Sequence, residues 1–247
     1  MNTRRLRVAA RILAATSIVL STGLVAGAQS LSVLPVNVLL APGQKAATLT
    51  ITNQGNSATA IQIRGYDWSQ PDGNDKLATS DALVVSPPIA TIAAGASQVV
   101  RLILRLPPLN GDREATYRIL VDQIPPPAEP GVVHVVLRLS IPIFALPTTR
   151  AASIVRYHIE LKEGQMYLVG SNEGLRHEAV RDIELSTGDG HKLKTEAGAL
   201  PYILSGATRR WPIATQGSLP RPGETLHLTA HSDAGAIDEQ VSVFGAP

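Results

Sequence analysis

A period of two constrains this chain more than any other feature. Apolar and polar residues alternate in short runs, and Pro, Gly, Asn and Asp separate the runs. In Lys45–Thr52, Ala47, Leu49 and Ile51 alternate with Thr48, Thr50 and Thr52. In Gln98–Leu106, Val100, Leu102, Leu104 and Leu106 alternate with Arg101, Ile103 and Arg105, and in Ala115–Asp122 one face collects Ala115, Tyr117, Ile119 and Val121. Successive side chains of a strand point to opposite faces, so these runs predict half-buried strands in sheets with one wet side. Turn signals fall between them at Pro42-Gly43, Asn53-Gln54-Gly55, Pro71-Asp72-Gly73-Asn74, Ala94-Gly95 and Asn110-Gly111. Short strands at this spacing predict an all-β chain built as β-sandwich. Hydrophobic residues make up 44% and aromatic ones 4%, so the core must rest on Val, Ile, Leu and Ala.

The first residues have a different character. Arg4, Arg5, Arg7 and Arg11 precede the uncharged, mostly apolar stretch 12–24, and Ala26-Gly27-Ala28 follows. This order predicts an export signal, residues 1–28, cleaved after Ala28. The apolar run is short for a bilayer span and contains Thr16, Ser17, Ser21 and Thr22. An exported product with no membrane insertion of the mature chain is therefore expected. Formal charge is +2 for the whole chain, but those four Arg face no acid, so the remainder carries 18 basic and 20 acidic residues. That balance gives no hint of a nucleic-acid partner. With no Cys, there is no thiol nucleophile, Cys zinc site or redox motif.

Ile124-Pro125-Pro126-Pro127-Ala128-Glu129-Pro130 breaks the alternation and predicts a loop. From Val132 to Phe144 there is no Gly, and Val133, Val135, Leu137, Leu139 and Ile141 fall on one face. The other face carries His134, Val136, Arg138, Ser140 and Pro142, so one long strand with an unusually apolar face is expected. Periodicity alone leaves open whether that face packs the chain's own core or serves a partner. Pro147-Thr148-Thr149-Arg150 predicts a linker, after which Val155, Tyr157, Ile159 and Leu161 restart the strand pattern. The expected organisation is a domain over residues 29–147 and a smaller β-domain over 151–247.

Enzyme chemistry finds no foothold. His134, His158, His177, His191, His227 and His231 are scattered, and no H-E-x-x-H, G-x-S-x-G or P-loop spacing occurs. No catalytic residue, metal site or cofactor is expected.

Three ordered segments resemble the periplasmic pilus-assembly chaperones, the PapD-like family. The first is Ser86-Pro87-Pro88 followed by Ala94-Gly95 and Gln98-Val99-Val100-Arg101-Leu102. The second is Asp112-Arg113-Glu114-Ala115-Thr116-Tyr117 running into Asp122-Gln123-Ile124-Pro125-Pro126. The third is Ser140-Ile141-Pro142-Ile143-Phe144-Ala145-Leu146-Pro147; later, Pro201-Tyr202-Ile203-Leu204 and Arg209-Arg210-Trp211 also look like the family pattern. The resemblance implies two immunoglobulin-like β-sandwich domains joined at an angle, working in the periplasm. It implies pilin subunits and an outer-membrane usher as partners. It also implies donor-strand complementation, in which the chaperone lends a strand to the groove of an incomplete pilin, a mode of β-strand addition. Val133, Val135, Leu137 and Leu139 are the expected donor residues. The family anchors the pilin's terminal carboxylate with two basic residues, where this chain has Asn37 and Pro142, or Ser140 if the register slips. Arg138, Arg101 and Arg105 are the substitute candidates, since Arg grips a carboxylate with parallel hydrogen bonds. Arg101 is also expected to form a structural ion pair with Glu114 or Asp233. The basic member of the family's interdomain ion-pair cluster falls at Leu146, so that cluster is expected to be altered. From a different class, an exported immunoglobulin-like adhesion or ligand-binding module would satisfy the same fold pattern.

Overall fold

A computed structural model describes residues 31–105, 112–127, 130–131, 134–195, 201–214 and 220–245. The expected signal segment 1–28 and the donor residue Val133 lie outside the described residues.

The first half folds as two facing sheets. Its strands are β1 (Leu31–Leu34), β2 (Val38–Leu40), β3 (Ala46–Asn53), β4 (Thr59–Ser69), β5 (Lys76–Thr79), β6 (Leu83–Ser86), β7 (Ile89–Ile92), β8 (Ser97–Leu104), β9 (Ala115–Ile124) and β10 (Arg138–Ala145). One sheet has the order β1-β3-β8-β6 and the other β2-β10-β9-β4-β5, with β7 also on β4. The period-two residues named above supply the interior: Leu49 and Ile51 of β3, Val100, Leu102 and Leu104 of β8, Tyr117, Ile119 and Val121 of β9. Burying one Leu- or Ile-sized side chain contributes roughly 1.5–3 kcal/mol, so this interior dominates the stability of the unit. Asn53 closes the end of β3. Its buried side-chain amide donates to the carbonyls of Ser57 and Ile92, while the Asn53 backbone carbonyl accepts from the Gly95 N–H in the turn before β8. Gly95 sits at φ +70°, a conformation that would strain a side-chain-bearing residue.

The second half holds β11 (Val155–Lys162), β12 (Gln165–Asn172), β13 (Glu178–Ser186), β14 (Lys192–Thr195), β15 (Tyr202–Ile203), β16 (Thr208–Ala214), β17 (Thr225–Ser232) and β18 (Gly235–Gly245). Their path runs β14-β16-β12-β11-β18-β17-β13-β15, and β14 also pairs with β13, so the sheet folds back around its own core. β18 makes the corner: residues 235–242 pair with β17, and Val243–Gly245 pair in parallel with β11. Asn172 repeats the role of Asn53, its buried amide donating to the carbonyls of Arg176 and Ile203. The chain thus has two immunoglobulin-like β-sandwich units.

Their meeting is intimate. Trp68 of β4 and Phe144 of β10 are buried in the core cluster of the second unit, beside Tyr202, Ile203 and Trp211. Gln70 accepts from the backbone of Leu204 at 2.9 Å and donates to the carbonyl of Tyr202 at 3.0 Å.

One expectation needs correction. The strand expected over Val132–Phe144 begins only at Arg138. Residues 134–137 keep the alternation, but a single pair of contacts, both between Leu137 and Gln123, ties them to β9. Apolar parity extends further than the ladder, which ends where Arg138 meets Asp122.

Candidate functional site

The outer face of the β2-β10-β9-β4 sheet is where first and second units converge. Register assembles it row by row. Arg138 of β10 stands opposite Asp122 of β9, which stands opposite Gln62 of β4. Pro142 stands opposite Arg118, and Arg118 opposite Tyr66. Phe144 stands opposite Thr116 on one side and Leu39 of β2 on the other. Parity explains the set: Tyr117, Ile119 and Val121 point inward, so Thr116, Arg118 and Asp122 must point out.

Arg118 is the centre of this face. It is 2% exposed, and its guanidinium carbon lies 3.7 Å from the centroid of the Trp68 ring. Nη1 donates to the Ser140 hydroxyl at 3.2 Å, while Nη2 is buried without a partner. Burial lowers its pKa from the ordinary value, and nearby Arg209 adds to the effect while Asp75 and Tyr202 oppose it. Among the described residues no carboxylate pairs with it. A buried cation with an unmet donor is costly, and the free Nη2 is chemically suited to an anionic oxygen.

The sequence candidates are dispersed. Arg138 is largely exposed and bonded to Asp122, which also accepts from Arg64 at 2.6 Å. Burial pushes the Asp122 carboxyl up, but the hydrogen bonds from Arg138 and Arg64 outweigh it and hold it below its ordinary value. Arg101 lies on the opposite side of the sandwich, exposed on β8 between Thr48 and Ser86. Arg105 is exposed just past β8. Neither reaches the Arg118 face.

The expected ion pair of Arg101 with Glu114 or Asp233 does not form. Glu114 is claimed by His177, whose backbone N–H lies 2.8 Å and Nδ1 2.7 Å from one Glu114 oxygen. Asp233 pairs with Arg181 at 2.9 Å. Glu114 points away from the β8 face and into the join of the two units, so Arg101 has no path to it. The His177 ring stacks on Phe144 at a centroid distance of 3.5 Å. This buried contact occupies the join where the resemblance implied an altered ionic cluster.

Of the expected donor residues, Val135 is 79% exposed, whereas Leu137 and Leu139 are half-buried and Leu139 packs against the first core. On its far edge β10 meets β2 only at Ile143–Ala145. Upstream, residues 134–142 have no strand on that edge among the described residues. Exposed Leu34, Val36 and Leu39 extend the apolar border beside it. Sequence reasoning missed Arg118. Its parity was available from Tyr117 and Ile119, but its position beside Pro142 required the β9–β10 register.

A cavity of about 470 Å³ between the units is lined by Trp68, Gln70, Arg113, Glu114, Thr116 and Leu204, among others. Among the described residues no group of His, Asp or Glu could hold a metal ion, and no helix is long and apolar enough to cross a membrane.

Residues 30–151 match the family described as pili and flagellar-assembly chaperone, PapD N-terminal domain. Solved structures of similar fold include a chain of the CsuC–CsuE chaperone–tip adhesion subunit pre-assembly complex from archaic chaperone-usher Csu pili of Acinetobacter baumannii. It has TM-score 0.64 and 20% identity, over 88% of this chain and 100% of that one. The E. coli chaperone DraB matches at TM-score 0.57 and 20% identity, over 87% and 95%. A chain of the Salmonella enterica SafA pilin–SafB chaperone complex matches at TM-score 0.58 and 15% identity, over 86% and 94%. No curated protein matches the chain.

Proposed function

This chain belongs to the PapD-like pilus-assembly chaperones, and on that premise we propose that it captures pilus subunits by lending them the open edge of β10 and passes them to an outer-membrane usher. It is a chaperone of pilus assembly, from a chaperone family rather than an enzyme class. The family is periplasmic, and a cleaved signal over residues 1–28 would deliver this member there. Residues 29–147 would form the strand-lending domain and 151–247 its smaller companion, a division supported by the two separate cores.

One observation carries the reading. Residues 138–142 of β10, and the extended segment 134–137 leading into them, have no partner on one edge among the described residues, with Val135, Leu137 and Leu139 at alternate positions. Open apolar edges invite pairing with other chains, and proteins normally blunt them. Here no strand of the described chain covers the edge. A subunit lacking a strand can supply the missing partner, its backbone completing the ladder and its groove receiving the side chains, Val133 included. In this scheme Arg118 receives the subunit's terminal carboxylate. It stands directly opposite Pro142, where the family's basic residue is missing, and its unmet Nη2 offers the second hydrogen bond of a bidentate grip. Because Nη2 is buried, capture must shift Arg118 or part the units slightly.

The test is co-expression of folded variants with a small β-rich pilin. A carboxylate placed in an apolar pocket is buried without a partner, which is far more costly than losing a methyl group. Val135→Asp and Leu137→Asp should abolish co-purification, and His134→Asp should leave it near wild type. Val135 decides the matter, because its exposure means the substitution cannot unfold the free chaperone by burying charge. Wild-type capture by Val135→Asp would remove the donor-strand reading.

A further inference from the structure

Arg138, Asp122 and Arg64 form a charged group that neither the donor strand nor the anchor uses. One Asp122 oxygen accepts from Arg138 Nε and the other from Arg64 Nη2. The Asp122 side chain is 16% exposed, while those of Arg138 and Arg64 are 63% and 42% exposed. Asp122 is therefore the sheltered centre of a group whose two cations face outward, with a formal net charge of +1. A guanidinium has five N–H donors. Among the described residues each of the two gives only one to a hydrogen bond, so both keep donors to offer. The ring of Tyr66 lies 5.8 Å from the Arg64 guanidinium carbon and flanks it on one side.

The position of this group gives it a consequence. Arg138 is the residue at which β10 begins, and its side chain shares the cleft face with Ser140, Pro142 and Phe144. An incoming strand paired to the open edge lies about 4.8 Å from β10. Its own cleft-facing side chain then comes within reach of Arg138. The direction of that strand follows from the anchor. Its terminal carboxylate sits level with Arg118 and Pro142, and the rest must lie beside residues 134–142, so it runs parallel to β10. Arg138 precedes Pro142 by four residues, roughly 13 Å at strand rise. The neighbour of Arg138 is thus the residue about four before the subunit's last.

Resting on the donor-strand reading, we propose that Arg138 and Arg64 select subunits whose final strand carries an Asp or Glu about four residues before its C-terminus. Such a carboxylate shares the two guanidinium groups with Asp122 and turns a group of charge +1 into a neutral pair of ion pairs. A Lys or Arg at that position would meet like charge, and such juxtaposition suppresses wrong partners. The subunit end is then read twice: once by the buried Arg118 at its terminal carboxylate, and once by the exposed pair at a side-chain carboxylate one strand-length back.

The probes are synthetic 14-residue peptides of alternating Val and Thr, each with a free C-terminal carboxylate and a fluorescent N-terminus. One Glu or Gln is placed two, four or six residues before the end, and dissociation constants are measured at low and moderate salt. Glu at the fourth position should bind about tenfold more tightly than Gln there, with smaller differences at the other two positions. The advantage should shrink with salt and vanish in Arg138→Gln, which should still bind the Gln peptide as wild type does. An advantage that is equal at all three positions, or that survives in Arg138→Gln, overturns the proposal. If the Gln peptides bind and C-terminal amidation abolishes their binding, the anchor stands whatever the fate of the acidic selector. If no peptide binds, the donor-strand reading falls and this proposal falls with it.

Discussion

The Glu114–His177 contact offers a sharp quantitative test of how the two units are held. Glu114 enters from the strand start of the first unit and His177 from the loop before β13. Their side chains are 0% and 6% exposed. One Glu114 oxygen faces the backbone N–H of His177 at 2.8 Å and Nδ1 at 2.7 Å, and the other has no partner. His177→Ala removes the ring contact and the stack on Phe144, leaving a buried carboxylate with a single backbone donor. Removing one partner of a buried pair in this way costs about 3–5 kcal/mol. Glu114→Leu should cost less, because it removes the charge that needs a partner. The imidazole then loses its acceptor but keeps its stack, for an expected loss of about 1–3 kcal/mol. The decisive variant is the double substitution Glu114→Leu with His177→Phe, which replaces both polar groups by apolar ones of similar bulk. Apolar replacements of buried pairs are often neutral or stabilising, so the double variant should recover to within about 1 kcal/mol of wild type. Urea unfolding followed by tryptophan fluorescence measures all three, with Trp68 and Trp211 reporting from the join and the second core. A double variant as unstable as the sum of its singles would refute the claim that unpaired burial, rather than lost packing, sets the cost.

Three further predictions concern other sites. Arg118→Met keeps an aliphatic stem against Trp68 and deletes a buried cation, so unfolding should show unchanged or higher stability. Capture of a pilin should weaken by about 2–5 kcal/mol, and undiminished pull-down would exclude the anchor role. Asp122 has a folded-state pKa held below its ordinary value. Its stabilising contribution is therefore complete above the unfolded aspartate value of about 3.9 and is lost as pH falls through the lower folded value. Asp122→Asn should remove that part of the acid slope in a pH series of urea midpoints, and an unchanged slope would count against it. At Gly174, an added Cβ would lie 2.4 Å from the Ala152 carbonyl oxygen and 2.5 Å from the Ile154 nitrogen, both backbone atoms. Gly174→Ala should cost at least about 1–3 kcal/mol, read as a lowered thermal midpoint.

The strand pattern was legible because parity is local. Leu49, Val100 and Ile119 announce their inward face from their own neighbours, and no long-range fact is needed. Partnership is not local. That Arg101 and Glu114 belong to different sheets follows only from the sheet order, and the partners that Glu114 and Asp233 take instead, His177 and Arg181, lie far along the sequence. Arg118 stayed hidden for a related reason. Its outward parity is that of an ordinary solvated cation, and only Trp68 beside it and Tyr202 from the second unit remove it from water. The donor strand was overextended because alternation persists through Val135 and Leu137 after pairing has stopped.

Trp68 and Phe144 are made in the first half of the chain but find their burial in the second. An exported chain crosses the membrane first half first, and domains fold as units. Until residues up to Trp211 have arrived, two large aromatic faces on a finished sandwich stay wet. The nascent half therefore carries an adhesive spot that only its own later half erases. The angle between the units is then a by-product of closing that interior rather than the setting of a hinge. A client would meet a join already closed, and must shift Arg118 or part the units slightly to reach its buried Nη2.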